Sequence, residues 1–157
     1  MAVRANHVPL AGSARALPLG RRIGVPPPHE LIRVTVILPP RDRGLRAHVQ
    51  GLRAIPVRAR RYLTRVQFAR RFGARPMDVM RIRRFARNNK LHVVHVHYGR
   101  RTLVLGGTVA NMSAAFGVEL GLYMNQNRIF RAHMGPVHIP KWLRSSVQAV
   151  LGLDTRP

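Results

Sequence analysis

Apolar residues along this chain follow two spacings, and the shorter one predicts strands. Continuous β-branched runs, or apolar residues alternating with polar ones, are typical of strands. Such patterns occupy residues 31–38, 91–97, 101–107, 118–124 and 128–133. Tyr98-Gly99-Arg100 joins the second and third runs into a predicted hairpin, and Asn125-Gln126-Asn127 is a predicted turn between the last two.

Apolar residues three and four apart predict helices, and several of these helices carry capping signals. Thr64 and Gln67 have the spacing of a capping box at the start of one helix. Pro76 has the residue type preferred in the first turn of the next helix, and Thr108 is a predicted N-cap. A weaker helical pattern covers residues 45–52.

The end of the chain also has a helical pattern, which starts at Pro140. Its predicted apolar face consists of Leu143, Val147, Val150 and Leu151. Apart from the weak helix, the order is β, α, α, β, β, α, β, β, α. This order predicts an α+β fold, an α/β sandwich of the ferredoxin-like, split βαβ type. In that fold helices cover one face of an antiparallel sheet, and the other face is free to cover a partner.

The composition changes at both ends of the predicted domain. Residues 1–28 are rich in arginine and proline, end in three prolines, and are predicted to be a flexible arm. Residues 29–153 form the predicted domain, and residues 154–157 follow Gly152 as the start of a linker. Arginines interrupt every apolar stretch of the arm, which is unlike a signal peptide, and no stretch is long enough to span a membrane.

Charge separates this chain from most globular proteins. It has 28 Lys and Arg residues against five Asp and Glu, a formal charge of +23. Such a surface favours anionic partners, namely nucleic acid, anionic lipid or an acidic protein. The arginine clusters near residues 58–61, 70–71, 81–84 and 100–101 have three interpretations: a solvated face, a match to an acidic protein, or phosphate binding.

The residues with catalytic potential do not form a recognisable set. The carboxylates are scattered over separate elements, namely Glu30, Asp42, Asp78, Glu119 and Asp154. There is no cysteine, no Gly-x-Ser-x-Gly and no phosphate-binding loop. His92, His95 and His97 have no carboxylate close by in the sequence to complete a metal site. We therefore predict no catalytic residue, no metal and no cofactor.

Three segments resemble one known family. They are YLTRVQFARRFGARPMDVMRIRRFARNNKLHVVHV from Tyr62, RRTLVLGGTVANMSAAFGVEL from Arg100, and GPVHIPKWLRSSVQAVLGLDTRP from Gly135. Together they resemble the pro-kumamolisin activation domain, the propeptide of sedolisin-type serine-carboxyl peptidases. The chain departs from the family where acidic residues are usual, as at Val66-Gln67, so the usual inhibitor–enzyme salt bridges need not be kept.

The resemblance implies a non-catalytic, secreted propeptide that inhibits the peptidase and acts as a template for its folding. Its partner would be the catalytic domain of a sedolisin-like peptidase, normally in the same chain but outside these residues. Acid would release it, and we expect enzyme carboxylates that lose their arginine contacts to be the trigger.

Docking is predicted for Arg128, Arg131, His95 and His97, and the tail toward the active site is Asp154, Thr155, Arg156 and Pro157. The alternative function is a stand-alone basic protein on the same fold that binds nucleic acid or an anionic surface, and nonspecific polyanion binding is a further predicted interaction. A third interpretation is a remnant with no present role.

Overall fold

The computed structural model describes residues 6–156, within which there are four helices and nine strands. The helices are α1 (Leu45–Arg53), α2 (Arg65–Phe72), α3 (Pro76–Asn88) and α4 (Val109–Phe116). The strands are β1 (His7–Pro9), β2 (Arg21–Gly24), β3 (Leu31–Ile37), β4 (His92–His97), β5 (Thr102–Thr108), β6 (Gly121–Asn125), β7 (Arg128–Ala132), β8 (His138–Pro140) and β9 (Ala149–Leu151). Short 3₁₀ turns occupy Val57–Ala59 and Lys141–Leu143.

The main sheet confirms the ferredoxin-like prediction. Its strand order is β4-β5-β3-β9, and all of its pairings are antiparallel. The unit β3-α3-β4 leaves room for β5 between its two strands, and β5-α4-β9 encloses β3 in the same way. These are two interlocked split βαβ units. The fold is therefore an α+β sandwich.

The core lies between this sheet and the helices. Val34, Leu103 and Leu105 point inward from the central strands and are fully buried. Phe85 of α3 and Phe116 of α4 meet there, with ring centroids 5.4 Å apart. Alternation along β3 and β5 thus places one set of side chains in the core and leaves the other set on the opposite face.

The predicted capping signals are present. The Thr64 hydroxyl oxygen accepts from the Gln67 amide, and the Gln67 side chain accepts from the Thr64 amide, which completes the capping box of α2. Thr108 caps α4 in the same way through the Asn111 amide. Gly117 ends α4 in the left-handed conformation, with φ 58°.

The structure differs from the sequence prediction before Leu31. Residues 7–9 and 21–24, which fall in the predicted flexible arm, are strands paired with β8 and β6. Their partners are more than ninety positions away in the sequence, and β2 is exposed throughout. Neither strand therefore has a local apolar pattern from which it could be predicted. The bounds of the domain at 29–153 stay a prediction.

The predicted last helix is wrong. From Pro140 the chain forms a 3₁₀ turn and then β9, which pairs with the free edge of β3. The Gln148 amide donates to the Ile37 carbonyl, 2.8 Å, at the start of this pairing. Leu143 and Val147 are buried as expected, because their spacing suits either a helix or a turn followed by a strand. The strand is favoured over the helix because it supplies hydrogen-bond partners for the open edge of β3.

Candidate functional site

The outward face of the main sheet presents a mixed apolar and histidine surface, which we call the open face. Its centre is apolar, with Ile37 and Val104 half-buried and Leu151 exposed. The register places Thr35 between Val104 and Leu151. The members of the open face are Arg33, Thr35, Ile37, His92, His95, His97, Thr102, Val104, Ala149 and Leu151.

Two predicted docking residues lie on the open face. His95 is level with Val104 and His97 with Thr102, and both imidazoles are exposed. Their ring centroids lie 6.3 Å apart. The His97 Nδ1 accepts from the Arg100 amide, 3.1 Å, which fixes that ring at the hairpin turn.

A third histidine joins this row because of an irregularity in β4. Strict alternation would put His92 and His95 on opposite faces, but the register shifts between Val93 and His95. His92 therefore lies level with Gly106 on the open face. A Cβ atom at Gly106 would clash with the His92 imidazole. Because Gly106 has no side chain, there is room for the His92 ring above it.

The other predicted docking residues, Arg128 and Arg131, lie on β7, which belongs to a separate sheet with β2 and β6. Arg128 is exposed. Arg131 is largely enclosed: its side chain is 12% exposed and lies 3.7 Å from the Glu30 carboxylate. Its guanidinium donates to the carbonyls of Gly152, 3.0 Å, and Leu153, 3.1 Å. Arg131 thus holds the residues that lead into the tail.

The tail itself is hydrogen-bonded to β7. The Thr155 amide donates to the Arg131 carbonyl, 2.8 Å, and the Arg131 amide donates to the Thr155 hydroxyl oxygen, 2.9 Å. Pro157, the last predicted tail residue, lies outside the described residues.

Arg156 links three separate segments of the chain. It forms an ion pair with Asp154, 2.6 Å between Nη2 and Oδ2, and donates to the carbonyls of Ala16, 3.1 Å, and His133, 2.8 Å. We call these contacts, with those of Arg131 and Thr155, the tail junction. The junction ties residues 152–156 to β7 and to the segments around Ala16 and His133.

The comparisons with known proteins point to one family. The sequence model of the family described as "Pro-kumamolisin, activation domain" matches residues 20–156. Kumamolisin of Bacillus sp. (strain MN-32) is 40% identical over 128 residues, which are 80% of this chain and 23% of that protein. The chain belongs to the pro-kumamolisin activation domain family. It spans about a quarter of the length of this relative.

Membership of the pro-kumamolisin activation domain family confirms the resemblance found in the sequence. This is a family of propeptides, which belong to zymogens of sedolisin-type serine peptidases. The match begins at Gly20, so it includes β2 as well as the whole ferredoxin-like unit. No helix within residues 6–156 is both long and apolar enough to cross a bilayer.

The carboxylates of this activation domain all lie next to arginine. Each belongs to a different ion pair: Glu30–Arg131, Asp42–Arg71, Asp78–Arg81, Glu119–Arg22 and Asp154–Arg156. Asp78 is buried and also accepts from the Ser146 hydroxyl, 2.7 Å. Since every acid has an arginine neighbour, the many remaining arginines leave the surface strongly positive.

Two titratable groups in the tail junction respond to acid in the same direction. Burial lowers the pKa of His133; Asp154 opposes this effect, whereas Arg156 and Arg15 add to it. Burial would raise the pKa of Asp154, but hydrogen bonds and charge from Arg156 lower it overall. The folded junction therefore favours a neutral His133 and an ionised Asp154. Protonation of either group weakens the junction.

We expect the tail junction to loosen as the pH falls. The His133 contribution is lost as the pH drops below its ordinary pKa of 6.5 and through the lower folded value. The Asp154 contribution is lost only below about 3.8. Hydrogen-exchange protection of the Thr155 amide, corrected for intrinsic rates, should fall once the pH drops below about 6.5.

His133→Gln should flatten this fall, because it removes the histidine of the tail junction whose protonation weakens the junction. The Gln148 amide, which pairs with Ile37 in the main sheet, is the internal control and should keep its protection. Equal pH dependence of Thr155 protection in the wild type and the variant would show that His133 does not govern the junction.

Proposed function

We propose that this chain is the propeptide of a sedolisin-type serine peptidase, and that it inhibits and helps to fold the catalytic domain. The observation that carries this proposal is the open face, an uncovered sheet surface with an apolar centre in a member of the pro-kumamolisin activation domain family. Beyond the family, the proposal assigns a surface to the contact. The catalytic domain would cover the open face.

The open face has the layout of a protein interface. Apolar Ile37, Val104 and Leu151 can form its desolvated centre, and polar groups surround them. His95 and His97 border one side, and Arg33 is exposed next to the apolar centre. The strands hold these side chains at fixed spacings. Docking therefore requires little ordering of this surface, which favours binding.

The tail junction provides a fixed starting point for inhibition. Residues that follow Arg156 in a zymogen would leave the domain from a position held by hydrogen bonds to β7. A tethered segment with a defined origin has a high effective concentration at a nearby cleft. We infer that the tail from Asp154 onward leads the chain into the active-site cleft and blocks substrate. The Arg131 contacts support the junction rather than the docking surface.

The template role follows from binding to the native state alone. A preformed surface that binds the folded catalytic domain, and not the unfolded chain, shifts the equilibrium toward the folded enzyme. The parent zymogen would be an endopeptidase, and an extracellular setting would suit it. The reactive groups of that enzyme belong to its catalytic domain.

Acid would release the inhibitor through two sets of groups. Enzyme carboxylates paired with arginines of this chain would have lowered pKa values, and their contacts would be lost as the pH falls through those values. Histidines held neutral in the interface would act earlier, since they favour release when they become charged.

The direct test mixes this chain with a mature kumamolisin-type peptidase and follows hydrolysis of a peptide substrate. We expect inhibition near pH 6 and its loss near pH 4, with a chymotrypsin-type peptidase unaffected at either pH. A parallel refolding assay, in which the denatured catalytic domain recovers with and without the chain, reports the template role.

The same mixtures examine the alternative of nonspecific polyanion binding. A single-stranded oligonucleotide should bind weakly at physiological salt and should leave peptidase inhibition intact. Unhindered hydrolysis at both pH values, together with tight and steeply salt-dependent oligonucleotide binding, would replace the propeptide proposal with the polyanion one.

A further inference from the structure

The outer face of α3 and the neighbouring 3₁₀ turn expose three large apolar side chains. Met77 is 60% exposed, Met80 61% and Trp142 45%. They line two adjoining shallow grooves together with Arg81, Arg84, Arg87 and Asn88. We call this surface the α3 patch. The two grooves share Arg81, Arg84 and Asn88, so the three apolar side chains belong to one surface, an arrangement that marks interaction sites.

The α3 patch lies on the opposite side of the sandwich from the open face. Val79, Ile82 and Phe85 of α3 point into the core and are buried. The patch residues of the same helix therefore face outward, away from the sheet. A compact partner seated on the open face leaves the α3 patch accessible.

Charge restricts the chemistry of a partner at this patch. The Arg84 guanidinium lies 6.0 Å from the centre of the Trp142 ring and within residues 6–156 no carboxylate pairs with it or with Arg87. Arg81 lies 3.7 Å from Asp78 and donates to Ser146, 3.1 Å. Two arginines thus remain for carboxylates of a partner, which they can bind in a bidentate manner.

The apolar residues favour a protein over a nucleic acid. Methionine side chains are flexible and polarisable, and they suit surfaces that accommodate aliphatic and aromatic groups of a docked helix. A nucleic acid would offer phosphates to the arginines and bases to Trp142, but no aliphatic groups for Met77 and Met80. An acidic amphipathic segment satisfies both parts of the α3 patch.

We propose that the α3 patch docks an acidic amphipathic helix of a protein partner. The apolar side of that helix covers Met77, Met80 and Trp142, and its carboxylates meet Arg84 and Arg87. The site is separate from the open face and does not depend on the function proposed above.

Trp142 makes this proposal directly measurable because it is the single tryptophan of the chain. The probe is a synthetic peptide with leucines at helical spacing and glutamates elsewhere. The references are a scrambled peptide of the same composition and a thymidine oligonucleotide of equal charge. Binding of the helical peptide should shift Trp142 emission to shorter wavelength and should be at least about tenfold tighter than binding of the scrambled peptide.

Variants separate the apolar and charged parts of the site. Met80→Ser should weaken binding of the helical peptide about tenfold, since it removes a covered apolar side chain. Arg84→Ala should weaken it about fivefold and reduce its salt dependence. Arg65→Ala, which removes an exposed charge from α2, is the matched control and should change affinity less than about twofold.

Two results would overturn the proposal. One is equal binding of the helical and scrambled peptides, or no binding of either. The other is equal or tighter binding of the oligonucleotide with no loss on Met80→Ser, which would make the α3 patch a nonspecific anion surface. Val104→Glu, a change on the open face, should leave peptide binding intact. Peptide binding therefore tests the α3 patch alone, and inhibition of the peptidase tests the propeptide proposal alone.

Discussion

Replacing Val104 with glutamate should weaken inhibition of a sedolisin-type peptidase by about two orders of magnitude. Val104 lies at the centre of the open face, between Thr35 and His95 on the neighbouring strands. In the proposed complex a glutamate there would lose its hydration without gaining a placed cation, which costs about 3 kcal/mol. The inhibition constant near pH 6 is the measurement.

Val66→Glu is the matched control for this prediction. It introduces the same charge at a valine that is 62% exposed on α2, on a helix rather than on the sheet. Val104→Thr, which keeps the β-branched shape, should have a smaller effect than Val104→Glu. Circular dichroism and urea unfolding of each variant check the fold. If both glutamate variants inhibit equally well, the open face is not the docking surface.

Arg131→Ala should lower the free energy of unfolding by about 2–3 kcal/mol and free the tail. The arginine side chain is 12% exposed and donates to the carbonyls of Gly152 and Leu153. Its removal leaves these carbonyls and the Glu30 carboxylate without their cation. Urea unfolding and exchange protection of the Thr155 amide report the two consequences.

Arg128→Ala is a close comparison, because it removes an exposed arginine from the same strand. Its effect on unfolding should stay within about 0.5 kcal/mol. Arg131→Lys should be intermediate, since a single ammonium group cannot reproduce a planar fork that reaches two carbonyls. Similar losses for Arg128→Ala and Arg131→Ala would contradict a structural role for Arg131.

Elements whose signals are local could be predicted from the sequence. The capping box at Thr64, the proline at the start of α3 and the N-cap Thr108 of α4 each act within one helical turn. The strands of the hairpin and β3 are apolar enough to be recognised singly. The order of these elements was sufficient to predict the fold class, although β9, the fourth strand of the main sheet, was predicted as part of a helix.

Features that depend on distant partners could not be predicted in this way. The pairing of β1 with β8 joins residues at opposite ends of the chain, and β9 forms because β3 has a free edge. The shift in β4 that places His92 on the open face requires Gly106 on another strand. The role of Arg131 in the tail junction is likewise visible only in the structure, where Gly152 and Leu153 lie beside it.

The hydrogen bond from Arg156 to the Ala16 carbonyl connects an early segment of the chain with residues near its end. A cut or deletion near residue 16 would remove one of the contacts that hold Arg156, about 140 positions downstream. In the proposed zymogen, an attack on this early segment would therefore loosen the inhibitory tail before the propeptide is cut from the enzyme.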